Sequence, residues 1–199
     1  MDTKLPLGTQ AQLKQPYVSM RNRNKVHFLN PTLAEIKIDD VAWHLARQCR
    51  FTCHVKNWYS TAEHSILGAR QAKNTQIARE FLVHDAGEFV FGDLSSPIKR
   101  LCPDYKEMSD RFQDFCFRAF LGYIPEEGPL KEIDSRLCAT EMRVLRGSPD
   151  ESLEAEPYTD VHFYNWRWQD AHVRFLDMFT HLFPEYKDVE GVLGNGTLE

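Results

Sequence analysis

The chain has 199 residues, of which 42% are hydrophobic and 27% charged; this is ordinary globular usage and excludes collagen-like, low-complexity and wholly disordered classes. Its 24 Lys and Arg against 29 Asp and Glu leave a net charge of −5, which carries no footprint for duplex nucleic acid and leaves room for a small anionic substrate held by local basic groups. No apolar run approaches the roughly 18 residues of a membrane span, and Met1-Asp2-Thr3-Lys4-Leu5-Pro6 lacks the basic-then-apolar order of a secretory signal. The expected location is therefore cytoplasmic, without a membrane partner. Cys49, Cys53, Cys102, Cys116 and Cys138 are odd in number and sparse, which suits free thiols in a reducing compartment.

One domain is expected over residues 17–199, behind a poorly anchored segment 1–16. Helical punctuation dominates and strand alternation is scarce, so the expected fold class is all-α. A small hairpin around Val26–Phe28 and Ile36–Ile38 is the one β element on offer. In chain order, Asp39 or Asp40 N-caps a helix over 41–49. Ser60-Thr61-Ala62-Glu63 is a capping box, Ser at N-cap and Glu at N3, that starts a helix carrying His64 in its first turn. A helix over 75–91 stops at Gly92, where a left-handed residue fits, and Pro97 opens a short helical turn. Tyr105, Met108, Phe112, Phe115, Ala119 and Phe120 recur at helical spacing up to Gly122. A further helix runs over 129–145, and the last over 166–183. Its stripe of Trp166, Trp168, Phe175, Phe179 and Phe183 is either core or a subunit contact, and the second case makes a homo-oligomer the expected state.

Chemistry concentrates in the histidines, of which there are eight. His84-Asp85 sits within the apolar run Phe81-Leu82-Val83-His84-Asp85-Ala86, where a carboxylate is costly unless paired or bound to a metal. His64 near the start of one helix, His84-Asp85 along the next and Asp134 at the border of an apolar face on a third can meet when consecutive helices pack antiparallel. Two imidazoles and two carboxylates form a mixed nitrogen and oxygen set suited to a divalent transition metal with open positions for water and substrate.

The order His64, His84-Asp85, Asp134 resembles that of the HD-domain metal-dependent phosphohydrolases. The nearer likeness is to the branch of bacterial 5'-deoxynucleotidases and phage HD hydrolases of the dATP triphosphohydrolase type. It runs from about Val26 to Leu145, carried by Ile38-Asp39-Asp40-Val41-Ala42, Cys49-Arg50-Phe51, Tyr59-Ser60-Thr61-Ala62-Glu63-His64-Ser65, His84-Asp85-Ala86-Gly87-Glu88 and Gly92-Asp93-Leu94-Ser95-Ser96-Pro97-Ile98-Lys99. It implies a helical bundle with His64, His84, Asp85 and Asp134 as ligands of a divalent ion (Co, Mn, Zn or Mg). No histidine lies between Asp85 and Val161 to build a second metal position, so one ion is expected. Glu88, four residues after His84 and so on the same face of one helix, is placed to orient or deprotonate water, and Asp93 to share that acid/base work. Arg50 and Lys99 are the cations for a substrate phosphate. Phe51 faces the sugar where the bacterial enzymes tend to carry Trp, and His54 lines the cleft or is structural. The implied reaction is hydrolysis of the 5'-phosphoester of a 2'-deoxynucleotide, releasing phosphate or triphosphate. The alternative, a catalytically idle HD fold that senses nucleotides or binds proteins, predicts damaged ligands, and none of the expected ligands is damaged.

Overall fold

A computed structural model describes residues 15–147 and 154–186. Most of the segment 1–16, and part of the acidic loop running on from Gly147, lie outside the described residues. A two-stranded antiparallel hairpin, β1 (Val18–Ser19) and β2 (Lys25–Val26), pairs Val18 with Val26 and Ser19 with Lys25. It lies one strand earlier than the sequence suggested. Ile36–Ile38 is not a strand, because Ile38 already opens helix α1 (Ile38–Arg47). Nor do Asp39 and Asp40 cap that helix. Lys37 holds the N-cap position, while the two buried carboxylates in the first turn are taken up by tertiary partners. Asp39 accepts from the Arg21 guanidinium and from His172 Nε2 at 3.0 Å, and Asp40 from Asn22 at 3.2 Å.

Helix α2 (Thr61–Arg70) starts as expected, with the Ser60 hydroxyl accepting the Glu63 N–H at 3.1 Å. The Glu63 carboxylate, however, does not close a capping box. It turns to the far end of the chain and accepts the backbone N–H groups of Tyr164, Asn165 and Trp166 at 2.7–3.0 Å. Nine of the ten α2 residues are buried, and α1, α3 (Thr75–Leu82) and α8 (Trp168–Leu182) pack around it. Gly68 allows α3 to approach closely, since a Cβ there would stand 2.0 Å from the Phe81 ring. Gly68→Ala is therefore expected to cost about 1–3 kcal/mol by overpacking, read as a lowered melting temperature; an unchanged melt would show that the ring moves freely.

The single helix expected over 75–91 is broken. α3 ends at Leu82, turns occupy residues 83–87, and a one-turn helix α4 (Glu88–Phe91) resumes before Gly92, whose φ is +74°. The break has an identifiable cause. Gln113 donates to the Val83 carbonyl at 3.1 Å and accepts the Gly87 N–H at 2.6 Å, so one side chain satisfies backbone groups that a continuous helix would have paired internally. Gln113 belongs to α6 (Pro103–Leu121), which follows the short α5 (Ser96–Lys99) and ends at left-handed Gly122. Helix α7 (Glu127–Glu141) runs on into a π-helical turn, Met142–Arg146. The aromatic stripe of α8 resolves to the core: Phe175, Phe179 and Phe183 are fully buried, and Trp168 packs edge-on to Trp43. Trp166 is buried with the phenylalanines, and Trp168 alone of the stripe is partly exposed. Among the described residues no helix is long and apolar enough to cross a membrane.

Candidate metal centre

His64 projects from the first turn of α2, His84 and Asp85 from the turn between α3 and α4, and Asp134 from the middle of α7. The helix break thus carries the His-Asp pair. His64 Nε2 lies 3.4 Å from His84 Nε2 and 3.3 Å from Asp134 Oδ1. Asp85 Oδ2 is 3.3 Å from His84 Nε2 and 3.9 Å from His64 Nε2. Metal–nitrogen bonds of about 2.1 Å in tetrahedral array hold neighbouring donors about 3.4 Å apart, so the spacing fits a first-row divalent ion. The far nitrogens fit as well. His84 Nδ1 sits 2.7 Å from the Phe81 carbonyl and His64 Nδ1 2.6 Å from Glu141 Oε1, so each ring donates outward and turns its Nε2 lone pair inward. His64, buried, and His84 and Asp134, partly buried, form a cluster able to hold a metal ion.

Glu141 is the residue that sequence reasoning missed. It lies at the end of α7, seven residues and two turns beyond Asp134, and that spacing on one helix face was the available signal. It is fully buried, as are His64 and Tyr59; Tyr59 Oη donates to its Oε1 at 2.7 Å, and Arg50 lies 3.3 Å from its Oε2. Burial would raise its pKa, but Arg50 and His64 hold the carboxyl below the ordinary value. Burial and Arg50 disfavour charge on His64, yet Glu141 and Asp134 push its pKa up to about 9. For Asp134 burial is outweighed by His64 and Arg50, and its carboxyl is held far down.

No protein-family model matches the chain. It is similar to the uncharacterized protein YfdR of Escherichia coli (strain K12), 39% identical over 132 residues that make up 64% of this chain and 72% of YfdR. The chain belongs to the YfdR family. Similarity extends to the uncharacterized protein RCAP_rcc00048 of Rhodobacter capsulatus, 32% identical over 108 residues, 50% of this chain and 55% of that protein. Neither name states an activity, so chemistry in this YfdR-family chain is argued from the site.

Arg50 arrives at the centre on an unusual turn. Phe51, Thr52 and Cys53 have φ of +55°, +53° and +63°, left-handed conformations that cost non-glycine residues about 1–2 kcal/mol each. The turn is tied down by the Arg50 N–H to the Tyr59 carbonyl at 3.0 Å and by the Cys49–Ser60 bridge. The guanidinium then reaches Asp85 at 3.5 Å and Asp134 at 4.0 Å as well as Glu141. Burial works against its charge, and the three carboxylates more than offset that. The Phe51 ring lies 5.4 Å from the guanidinium, whereas His54 is exposed at the far end of the turn.

A cleft beside the cluster is lined by His84, Asp85, Glu88, Lys99, Tyr105 and Asp110 among others. Glu88 thus shares the cleft with His84 from a separate short helix, rather than from one continuous face. Burial, reinforced by Asp85 and Asp93, pushes the Glu88 carboxyl well up, and burial does the same to Asp93. Lys99 faces the cleft but stands 3.7 Å from Asp110. Arg50, Asp85 and Asp134 therefore converge on the histidines, Glu88 and Lys99 line the adjoining space, and His54 stands apart.

Proposed function

We propose that the chain is an HD-domain metal-dependent phosphohydrolase that cleaves the 5'-phosphoester of a 2'-deoxynucleotide. The observation that carries the reading is the pair of inward Nε2 atoms 3.4 Å apart with Asp134 Oδ1 at 3.3 Å from His64 and a largely buried guanidinium beside them. That combination suits a divalent ion and an oxyanion together. His64, His84, Asp85 and Asp134 would hold the ion, which when bound supplies Lewis-acid polarisation of the phosphate and a more acidic water. Arg50 would meet the phosphate oxygens with its planar fork. Glu88, lining the cleft with a carboxyl whose pKa burial raises well above the ordinary value, is suited to exchange a proton with the attacking water or the departing 5'-oxygen. The water oxygen bonds to phosphorus, the phosphorus–O5' bond breaks, and the 5'-oxygen leaves protonated as the nucleoside.

Charge around the cleft supports the shorter phosphate chain. Among the described residues Lys99 is the one lysine or arginine that lines the cleft, set against the Asp85 and Asp110 carboxylates, and a triphosphate needs further positive charge beyond the first phosphate. The deoxynucleoside monophosphate is therefore the expected substrate, with dATP and other triphosphates as the competing outcome. The preference for 2'-deoxyribose rests on the family resemblance around Arg50-Phe51.

The test incubates metal-stripped protein, reloaded with Mg²⁺, Mn²⁺, Co²⁺ or Zn²⁺, with ribo- and deoxynucleoside mono- and triphosphates. Products are separated chromatographically, with His84→Ala as control. Metal-dependent nucleoside release from deoxynucleoside monophosphates, lost in the control, is the expected result; no release from any substrate would overturn the reading.

A further inference from the structure

Gln48 closes helix α1, and its side chain occupies a junction of four elements. Its backbone is held on both sides: the N–H donates to the His44 carbonyl at 2.9 Å and the carbonyl accepts the Thr61 N–H at 3.0 Å. Its Oε1 lies 3.0 Å from the Asp93 backbone nitrogen and 2.8 Å from His44 Nε2, and its Nε2 donates to Thr61 Oγ1 at 2.9 Å and to Glu88 Oε2. A primary amide offers two acceptor sites and two N–H donors; all four are used.

The orientation of this amide follows from its partners. The Asp93 backbone N–H is a donor only, so the oxygen of Gln48 must face it. The NH₂ group must then face Glu88, and Glu88 Oε2 can only accept there. Because the carbonyl oxygen of a carboxylic acid is a better acceptor than its hydroxyl oxygen, this contact favours Oε1 as the oxygen that carries a proton on Glu88. The same amide ties the backbone just after Gly92 to the end of α1, which fixes where α4 ends and hence where Glu88 stands.

Resting on the phosphohydrolase reading above, we propose that Gln48 is a positioning residue for the acid/base carboxyl: it commits Glu88 Oε2 to accepting and leaves Oε1 as the oxygen that exchanges the proton.

A double-mutant cycle tests this. Gln48→Leu keeps approximate size and removes the amide, whereas Gln48→Glu keeps an acceptor for Asp93 and His44 and removes the donor to Glu88. Both are expected to lower kcat about 10–100-fold, the range found when a supporting partner is lost, with KM and bound metal within about twofold of wild type. In a Glu88→Ala background, Gln48→Leu is expected to cause no further loss, because the group it positions is gone. Additive losses in the double variant, or a loss confined to KM or metal content, would overturn the proposal while leaving the phosphohydrolase reading intact.

A readout independent of turnover comes from the metal-free protein. The Gln48 side-chain NH₂ resonances are expected to shift in Glu88→Ala, and the Asp93 amide to exchange at least about tenfold faster in Gln48→Leu, as its acceptor is lost. If neither changes, the junction does not exist and the proposal falls. An inactive wild type that still shows both changes would instead remove the phosphohydrolase reading and retain the contact between Gln48 and Glu88.

Discussion

Replacement of His84 by alanine is expected to abolish stoichiometric divalent metal and, on the proposed phosphohydrolase reading, to lower turnover by about three orders of magnitude or more, the several kcal/mol that a bound cation contributes to a phosphoryl transition state. The site has two nitrogen donors, His64 Nε2 and His84 Nε2, and the variant deletes one. It also deletes a ring held rigid on both sides, by the Phe81 carbonyl at 2.7 Å and by stacking on the Phe81 ring at a centroid distance of 4.0 Å. Metal analysis of the purified variant, with a melting curve to establish folding, separates loss of the ion from loss of the fold. A folded, metal-free variant with wild-type turnover would refute the assignment.

Metal loading should also follow pH through His64. Its pKa is raised from 6.5 to about 9 in the metal-free protein: burial and Arg50 oppose the charge, and Glu141 and Asp134 prevail. The sign follows directly. A raised pKa contributes stability to the metal-free fold below 6.5 and loses it as pH rises through about 9. An ion at Nε2 must displace that proton, so apparent metal affinity is expected to rise about tenfold per pH unit between roughly 7 and 9 and then level off. Chelator competition at several pH values measures the slope; a flat profile would place the proton elsewhere.

The second large effect is expected from Glu141→Gln, which keeps shape and removes one charge. Glu141 joins the Tyr59 hydroxyl and the His64 Nδ1–H in a fully buried group that the largely buried Arg50 guanidinium adjoins. Breaking a buried ion pair from one side costs about 3–5 kcal/mol, on the order of 10 °C in melting temperature for a chain of this size. Loss of the carboxylate behind a metal-bound histidine adds a roughly 10–100-fold fall in metal affinity. Burial raises the Glu141 pKa, but Arg50 and His64 lower it below its ordinary 4.5. Its stabilisation is therefore present above that value and is lost as pH falls through the lower folded value. The gap between wild-type and variant melts should close in acid; equal melts at neutral pH would show that Glu141 is not the anchor of the cluster.

The residues that meet at the candidate centre stood out in the amino-acid sequence because they sit against a periodic apolar background. His84-Asp85 interrupts a hydrophobic run, His64 follows a capping serine, and Asp134 borders an apolar face; each anomaly is local, and local anomalies survive in one dimension. The all-α class and most helix ends were legible for the same reason, since Ser60, Gly92 and Gly122 act through bonds or backbone conformations within a few residues. What tertiary structure decided was where polar groups far apart in sequence find partners. Gln113 breaks the helix expected over 75–91 from 26 and 30 residues away. Glu63 leaves its capping box for backbone more than 100 residues on. Asp39 and Asp40 leave the helix start for Arg21, Asn22 and His172. In each case a buried carboxylate or amide is worth more when paired across the core than when spent on its own helix end, because an unpaired polar group there costs its full desolvation. Glu141 and Gln48 escaped notice on the same account: both are ordinary polar residues at helix ends, and only the packing of α1, α2, α4 and α7 brings one against His64 and the other against Glu88.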